Sequence, residues 1–219
     1  MTKTQNLMIT IGGVKGDGKT LLAVYYMEKI NKPTIIIDVA RQFANSRKFR
    51  TVVHGVQELK YELNHNRKSF MKNKTQIVFR PETDDITKEI EEVISFVDLE
   101  DIKDICILFD EIETYATSRI TNKSSLYKLF YISRNMNIDI ISVVKTFGDL
   151  SRLIKGQTDY FAISKMNEIN SIKFLDQRSN NKFSPKMKDL KKHEFLVTDL
   201  NSVWTKIKLD KKIIRIIEK

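Results

Sequence analysis

A segment near the start of the chain has the residue types and spacing of a phosphate-binding loop. Residues Gly13 to Thr20 read Gly-Val-Lys-Gly-Asp-Gly-Lys-Thr, which satisfies G-x-x-x-x-G-K-[ST] between an apolar run and a helix-like run. Glycines let consecutive backbone N–H groups turn towards phosphate oxygens, and the N-terminus of the next helix adds partial positive charge. A chance match in a chain of this length has a probability of about 1%. The candidate phosphate-binding residues are Gly13, Val14, Lys15, Gly16, Asp17, Gly18, Lys19, Thr20 and Leu21.

The last two positions of the loop have separate expected roles. Lys19 is expected to bridge the β- and γ-phosphates as a point charge, and the Thr20 hydroxyl is expected to ligate Mg²⁺. We expect the loss of either side chain to impair hydrolysis severely.

A second segment, Ile105 to Glu111, consists of apolar residues followed by two adjacent carboxylates. In a buried strand this pattern is typical of a Walker B segment, which delivers Asp110 to the magnesium at the edge where the phosphates lie. Glu111 is then expected to orient or deprotonate the attacking water. Together the two segments predict an ATPase that uses ATP and Mg²⁺, with Lys19 and Glu111 as candidate catalytic residues and Thr20 and Asp110 as candidate metal ligands.

Other nucleotide-binding classes fit less well. A GTPase needs N-K-x-D and D-x-x-G, and the nearest stretches, Asn122-Lys-Ser-Ser and Asp110-Glu-Ile-Glu, do not match. A small-molecule kinase needs an Arg-rich lid, for which the sequence has no convincing candidate, so that class stays as a minor alternative.

Length and composition favour one domain over residues 1–219, with 41% apolar residues and no run long enough to span a membrane. The start of the chain has no pattern of a secretory signal, so we expect an intracellular protein. The single cysteine, Cys106, lies in an apolar run and is interpreted as core packing. His54, His65 and His193 are scattered, which argues against a zinc site.

The positive charge is concentrated in one stretch. The chain carries 38 Lys/Arg against 28 Asp/Glu, a net charge of +10. Between Arg41 and Lys74 there are nine Lys/Arg and two Glu, which gives 9 − 2 = +7. Such a stretch favours binding of a nucleic acid backbone. A solvated Lys-rich surface is the alternative.

Strand-like and helix-like segments alternate along the chain, which predicts an α/β fold with a mostly parallel sheet. The predicted strands are Leu7–Ile11, Thr34–Asp38, Thr51–Val53, Gln76–Arg80, Ile105–Phe109, Ile138–Val144, Tyr160–Ile163, and a final pair at Glu194–Val197 and Val203–Leu209. The predicted helices are Thr20–Ile30, Gln57–Phe70, Thr87–Val97, Ser124–Asn135, Leu150–Ile154 and Glu168–Leu175.

Five segments carry a family resemblance: Gly13 to Thr20, Ile35 to Asp38, Ile107 to Glu111, Ser133 to Ile141 and Lys192 to Asp199. Through these five segments the sequence resembles the FtsK/HerA superfamily of DNA-pumping ATPases, particularly the genome-packaging ATPases of tailless, membrane-containing viruses. The resemblance implies a three-layer P-loop NTPase fold (ASCE, RecA-like) with a C-terminal antiparallel strand pair. It also implies translocation of double-stranded DNA by a homo-oligomeric ring of five or six subunits. A capsid or membrane vertex protein is a further implied partner, with a location in the host cytoplasm or on the virion.

Two further candidate catalytic roles come from this resemblance, with Arg134 and Lys145 as their first candidates. Arg134 matches the position from which the family can offer an arginine to a neighbouring subunit's γ-phosphate; a helix C-terminal cation is the alternative. Arg119 is a second candidate for that role. The family's γ-phosphate sensor is a Gln in a Thr-Gln pair, and here Lys145 or Thr146 would have to replace it.

Two other functions stay open. A Zot-like phage assembly ATPase shares the nucleotide-binding core but normally carries a membrane helix. A scaffold or switch protein would use ATP to stabilise an assembly without translocation.

Overall fold

The computed structural model describes residues 6–43, 50–116, 121–210 and 213–218. Ten strands form one sheet. They are β1 (Met8–Gly12), β2 (Thr34–Ile37), β3 (Arg50–His54), β4 (Gln76–Arg80), β5 (Cys106–Phe109), β6 (Asp139–Val144), β7 (Tyr160–Ile163), β8 (Glu194–Thr198), β9 (Trp204–Asp210) and β10 (Ile213–Glu218). The helices are α1 (Lys19–Ile30), α2 (Gly55–Asn73), α3 (Ile86–Leu99), α4 (Ser125–Ile132), α5 (Arg152–Gln157), α6 (Ile169–Arg178) and α7 (Phe183–Lys188), with a 3₁₀ turn at Ile112–Thr114.

The strand order is β10-β9-β8-β7-β1-β6-β5-β2-β4-β3. The seven strands from β7 to β3 are parallel, and β8, β9 and β10 continue the sheet antiparallel beyond β7. The predicted fold class, a mostly parallel sheet with a C-terminal antiparallel addition, is therefore confirmed.

Two elements were not predicted. Strand β10 has the sequence Ile-Ile-Arg-Ile-Ile-Glu, which lacks the strict alternation that reveals a half-buried strand. The short helix α7 contains Pro185 in its first turn, where proline is tolerated although it reads as a breaker from sequence alone.

Both faces of the sheet are buried, which follows from the period of two in a strand. In β2, Ile35 and Ile37 belong to the apolar core that also contains side chains of α2, α3 and α4, whereas Ile36 belongs to the core on the other face. Helix α1 packs on that second face with Leu22 and Met27. The result is three layers, with helices on both sides of the sheet.

The register of the parallel strands brings the ends of the central strands to one edge. Ile37 of β2 pairs with Phe109 of β5, and Gly12 of β1 pairs with Val144 of β6. The residues that follow these strands therefore meet at the carboxyl edge of the sheet, where α/β proteins bind ligands.

None of the helices in the described part of the chain has the length and apolarity that a membrane crossing requires.

Candidate functional site

The loop after β1 has a backbone that requires glycine. Gly13 has φ 144°, and a Cβ added there would lie 1.8 Å from Oγ of Ser164. Gly18 has φ 92° and precedes the first residue of α1. The left-handed region is costly for residues with a side chain. The loop is thus shaped so that its backbone approaches a neighbouring strand and then opens helix α1, as a phosphate-binding loop requires.

The Lys19 side chain folds over this loop. Its Nζ donates to the carbonyl oxygens of Gly13 and Val14 at 2.8 and 3.0 Å. Burial lowers the pKa of Lys19, while the carboxylates of Glu113, Asp17 and others oppose that effect. A partly desolvated ammonium group is therefore hydrogen-bonded to the backbone carbonyls of the loop.

Residues from the C-terminal part of the chain contact the loop at Asp17 and Gly18. The carbonyl oxygen of Asp17 lies 3.2 Å from Nδ1 of His193, which follows α7 and precedes β8. A Cβ added at Gly18 would lie 2.8 Å from Cδ1 of Leu209 in β9. The C-terminal part of the chain thus contributes directly to the position of the candidate phosphate-binding loop.

Asp110 lies at the end of β5 with 1% exposure, and neither carboxylate oxygen has a hydrogen-bond partner in the described part of the chain. Burial, followed by the charges of Asp38, Glu111 and Glu113, raises the pKa of Asp110 to about 7. A buried carboxylate without donors is costly unless a cation compensates it. This chemistry fits a Mg²⁺ ligand, because hard cations prefer carboxylate and hydroxyl oxygens.

Glu111 adopts a left-handed conformation, with φ 48° and ψ 46°, at the start of the 3₁₀ turn. Its Oε2 lies 2.8 Å from Nζ of Lys145, which follows β6. The two residues come from neighbouring strands, so the pair crosses the carboxyl edge of the sheet. A left-handed conformation is uncommon at a non-glycine residue, and here it begins the turn that follows β5.

Glu113 is a site residue that the sequence did not reveal. Its Oε1 accepts from the backbone N–H of Lys145 at 2.7 Å, and its Oε2 is buried with no hydrogen-bond partner among the described residues. Burial raises its pKa. The only signal in the sequence is a third acidic residue close behind Asp110 and Glu111. The 3₁₀ turn at Ile112–Thr114 is needed to place its side chain beside the end of β6.

Thr20 also has a partner that the sequence did not predict. Its Oγ1 donates to Oε1 of Gln42 at 2.8 Å. Gln42 lies in the turn after β2, in a segment with no motif of its own.

Most of these groups line one cavity of about 810 Å³, within the range of small-molecule sites, while Gly13, Glu113 and His193 lie outside its lining. The cavity residues that carry charge or hydrogen-bonding groups are Lys15, Lys19, Thr20, Gln42, Asp110, Glu111 and Lys145. The loop, the acidic strand end and Lys145 therefore meet in one place.

Arg134 lies elsewhere. It precedes β6, at the amino edge of the sheet, and its Nη2 lies 3.1 Å from Oδ1 of Asp159. It therefore does not reach the cavity of its own subunit. Arg119, the second arginine candidate, falls outside the described residues.

No protein-family model matches the sequence, and no curated protein matches it. Solved structures do match over nearly the whole chain. The genome packaging NTPase B204 from Sulfolobus turreted icosahedral virus 2, in complex with ATP-gammaS, aligns with a TM-score of 0.68 at 16% identity, covering 98% of this chain and 97% of that one. VirB4 of Thermoanaerobacter pseudethanolicus aligns with a TM-score of 0.64 at 13% identity, covering 96% and 91%.

A third match is the N-terminal domain of zonular occludens toxin from Neisseria meningitidis, with a TM-score of 0.51 at 11% identity and coverage of 97% and 94%. At these identities the likeness concerns the fold. The resemblance stated from the sequence is confirmed at that level: this chain has the fold of the P-loop ATPases that include a viral genome-packaging NTPase and VirB4.

Proposed function

We propose that this protein is a Mg²⁺-dependent ATPase that translocates double-stranded DNA, in the manner of a viral genome-packaging ATPase. One observation supports the ATPase part of the proposal: the buried carboxylate of Asp110, which no described side chain pairs with, lines the same cavity as Lys19 and Thr20. A structural carboxylate would be hydrogen-bonded in that position. The proposed unit is a single ATPase domain over residues 1–219.

The roles follow from the positions of the groups. The loop amides and the Lys19 ammonium hold the triphosphate, while Thr20 and Asp110 hold Mg²⁺. When bound, the metal neutralises charge that develops on the phosphate oxygens. Glu111 orients the attacking water and accepts its proton, and the ammonium of Lys145 moves from Glu111 to the γ-phosphate.

The proposed DNA contact is the exposed side of α2. We define the α2 basic surface as His65, Arg67, Lys68 and Lys72, which line a second cavity. Lys68 and Lys72 are both exposed and lie four residues apart, so they share one side of the helix, where both ammonium groups can contact a phosphate backbone. This surface contains three of the Lys/Arg of the basic stretch identified from the sequence.

An aromatic pair adjoins the α2 basic surface. Tyr61 is 61% exposed, and its ring stacks on that of His65 with 4.0 Å between centroids. An exposed tyrosine beside several cations suits contact with nucleic acid, whose backbone and sugars accept hydrogen bonds from such side chains.

Assembly into a homo-oligomeric ring of five or six subunits is part of the proposal, since the trans role of Arg134 needs a neighbour. A capsid or membrane vertex protein would then recruit the ring in the host cytoplasm or on the virion. The support is the similarity in fold to B204, which is described as a genome packaging NTPase.

A Zot-like role in phage assembly is the second candidate, favoured by the structural match to zonular occludens toxin. A scaffold that binds ATP without translocation is the remaining alternative. A DNA translocase and a scaffold differ in whether double-stranded DNA accelerates ATP turnover.

The test is steady-state ATPase activity with and without double-stranded DNA at low salt. We expect DNA to stimulate the wild type, and Lys19→Ala to abolish turnover because the phosphate charge loses its partner. Lys68→Glu/Lys72→Glu is expected to lose DNA stimulation but keep basal turnover. Lys173→Glu/Lys188→Glu, a double charge reversal at exposed positions on α6 and α7, is the matched control.

The outcomes separate the parts of the proposal. Wild-type rates in Lys19→Ala would exclude the nucleotide role of the loop. If the wild type hydrolyses ATP at the same rate with and without DNA, the DNA-translocase role is excluded and the scaffold role is favoured. Equal DNA stimulation in Lys68→Glu/Lys72→Glu and in wild type would exclude the α2 basic surface as the contact.

A further inference from the structure

The turn that follows β2 is fixed by a buried ion pair. Asp38 is fully buried, and its Oδ2 lies 3.1 Å from Nε of Arg80 at the end of β4. The other carboxylate oxygen, Oδ1, accepts from the backbone N–H of Gln42 at 2.7 Å. Arg80 also donates through Nη2 to the carbonyl oxygen of Phe43 at 3.0 Å. The backbone N–H of Gln42 and the carbonyl group of the next residue, Phe43, are therefore held by groups anchored in the sheet.

Two further contacts make this anchoring rigid. The backbone N–H of Asp38 donates to the carbonyl oxygen of Phe79 at 2.9 Å, and the Phe43 side chain is 2% exposed in the second apolar core. A turn held at its start by β4 and at its end by the core has little freedom to move the side chain between them. The exposed side chain of Gln42 is presented to the cavity in a defined place.

That side chain contacts the proposed magnesium ligand. Thr20 Oγ1 donates its proton to Gln42 Oε1 at 2.8 Å. A hydroxyl has one proton and two lone pairs, so a proton committed to Gln42 leaves lone pairs for another partner. The buried oxygens of Asp110, which have no partner among the described residues, line the same cavity.

We infer that Gln42 is a positioning residue that sets the Thr20 hydroxyl for cation binding, with the Asp38–Arg80 ion pair holding Gln42 in place. The inference rests on the proposed nucleotide site and adds to it a residue that no motif identifies. Without the Gln42 carboxamide, the Thr20 hydroxyl loses the acceptor that fixes its proton, so its lone pairs are no longer held in one orientation for a cation.

A simpler role for Gln42, as a stabiliser of the turn, predicts a different result. A structural contact would change the melting temperature and leave the requirement for magnesium unaltered. A positioning contact acts through Thr20, so its effect should appear in the Mg²⁺ concentration needed for nucleotide binding and vanish when the Thr20 hydroxyl is removed. These two readouts are independent.

The experiment is a titration of Mg²⁺ in the presence of a fluorescent, non-hydrolysable ATP analogue, monitored by anisotropy. Gln42→Ala is expected to raise the Mg²⁺ concentration for half-maximal binding about 3- to 10-fold, the worth of one hydrogen bond. Binding in EDTA and the melting temperature should stay at wild-type values. Gln42→Glu keeps an acceptor for the Thr20 proton and should not raise the Mg²⁺ requirement. Gln177→Ala, an exposed glutamine on α6, is the matched control.

A double-mutant cycle decides whether Gln42 acts through Thr20. In a Thr20→Ala background, Gln42→Ala should cause no further change in the Mg²⁺ requirement. An unchanged Mg²⁺ requirement in Gln42→Ala, or an equal effect in both backgrounds, would overturn the inference alone. If the wild type binds the analogue without any dependence on Mg²⁺, the proposed function falls together with it.

Discussion

The ammonium of Lys145 lies 2.8 Å from Oε2 of Glu111, so the candidate base and the candidate phosphate sensor form an ion pair with each other. The Lys145 side chain is 57% exposed and that of Glu111 is 17% exposed. Ion pairs with such exposure contribute about 0–1 kcal/mol. A triphosphate that enters the cavity can therefore compete for the Lys145 ammonium. The Glu111 carboxylate is then free to accept a proton from the attacking water.

The first prediction concerns Lys145. Lys145→Ala is expected to lower kcat roughly 10- to 100-fold, because a cation that would stabilise charge on the γ-phosphate is lost. Steady-state ATPase assays check this, with Lys128→Ala, an exposed lysine of α4, as the control. A faster Lys145→Ala enzyme would mean that the ion pair restrains Glu111 and that Lys145 has no sensor role.

The second prediction concerns the pH dependence of stability. An Asp whose folded-state pKa is raised from 3.8 to about 7 favours folding most below pH 3.8 and loses that contribution as the pH rises towards 7. Asp110→Asn removes the buried charge and should stabilise the nucleotide-free protein at pH 8 by roughly 1–3 kcal/mol. The gain should shrink as the pH is lowered to 5.

Thermal unfolding in EDTA measures this gain, which corresponds to about 2–4 °C per kcal/mol for a chain of this size. The same variant should lose the stabilisation that Mg-ATP gives the wild type. A lower unfolding free energy for Asp110→Asn than for the wild type at pH 8 would contradict the view that the charged Asp110 carboxylate destabilises the fold when no cation is bound.

The third prediction concerns Arg134, which pairs with Asp159 at the amino edge of the sheet. If Arg134 serves a neighbouring subunit, Arg134→Ala should lose roughly 10³-fold in kcat. Mixing Arg134→Ala with Lys19→Ala should restore part of the activity, because an intact loop and an intact arginine then meet at some interfaces. ATPase assays of the mixtures measure this.

Asp159→Asn is the control for that experiment, since it weakens the ion pair and keeps the arginine. It should retain most of the activity. Full turnover by Arg134→Ala alone, or no complementation in mixtures of assembled protein, would remove Arg134 from the mechanism.

The fourth prediction concerns the close approach of Gly13 to Ser164. A Cβ at position 13 would lie 1.8 Å from Oγ and 2.9 Å from Cβ of Ser164, so Gly13→Ala should cost roughly 2–4 kcal/mol of unfolding free energy. Gly16 also has a positive φ, of 88°, but nothing lies within 4 Å of its added Cβ, so Gly16→Ala should cost about 1 kcal/mol. Chemical denaturation measures both.

A second change tests the cause of the larger loss. Ser164→Gly should recover part of the stability of Gly13→Ala, because it removes the clashing side chain. Equal destabilisation by Gly13→Ala and Gly16→Ala would show that backbone strain alone accounts for both.

The local features of this protein were predictable because each depends on residues close in the chain. The loop from Gly13 to Thr20 and the acidic end of β5 need only a short spacing pattern, and the strand ends follow from apolar runs. The expectation that these ends meet also held, since the carboxyl edge is common to all parallel strands. Arg119, by contrast, lies outside the described residues, so its candidacy stays a prediction.

The contacts between elements were decided by the tertiary structure. The pairing of Lys145 with Glu111 and of Gln42 with Thr20 depends on which strands are neighbours and in what register, and no local pattern encodes that. The place of Arg134 at the opposite edge depends on the direction of β6. The sequence by itself determined which residues are candidates for binding phosphate, and the fold decided which groups contact them, because side chains far apart in the chain meet only when the sheet is assembled.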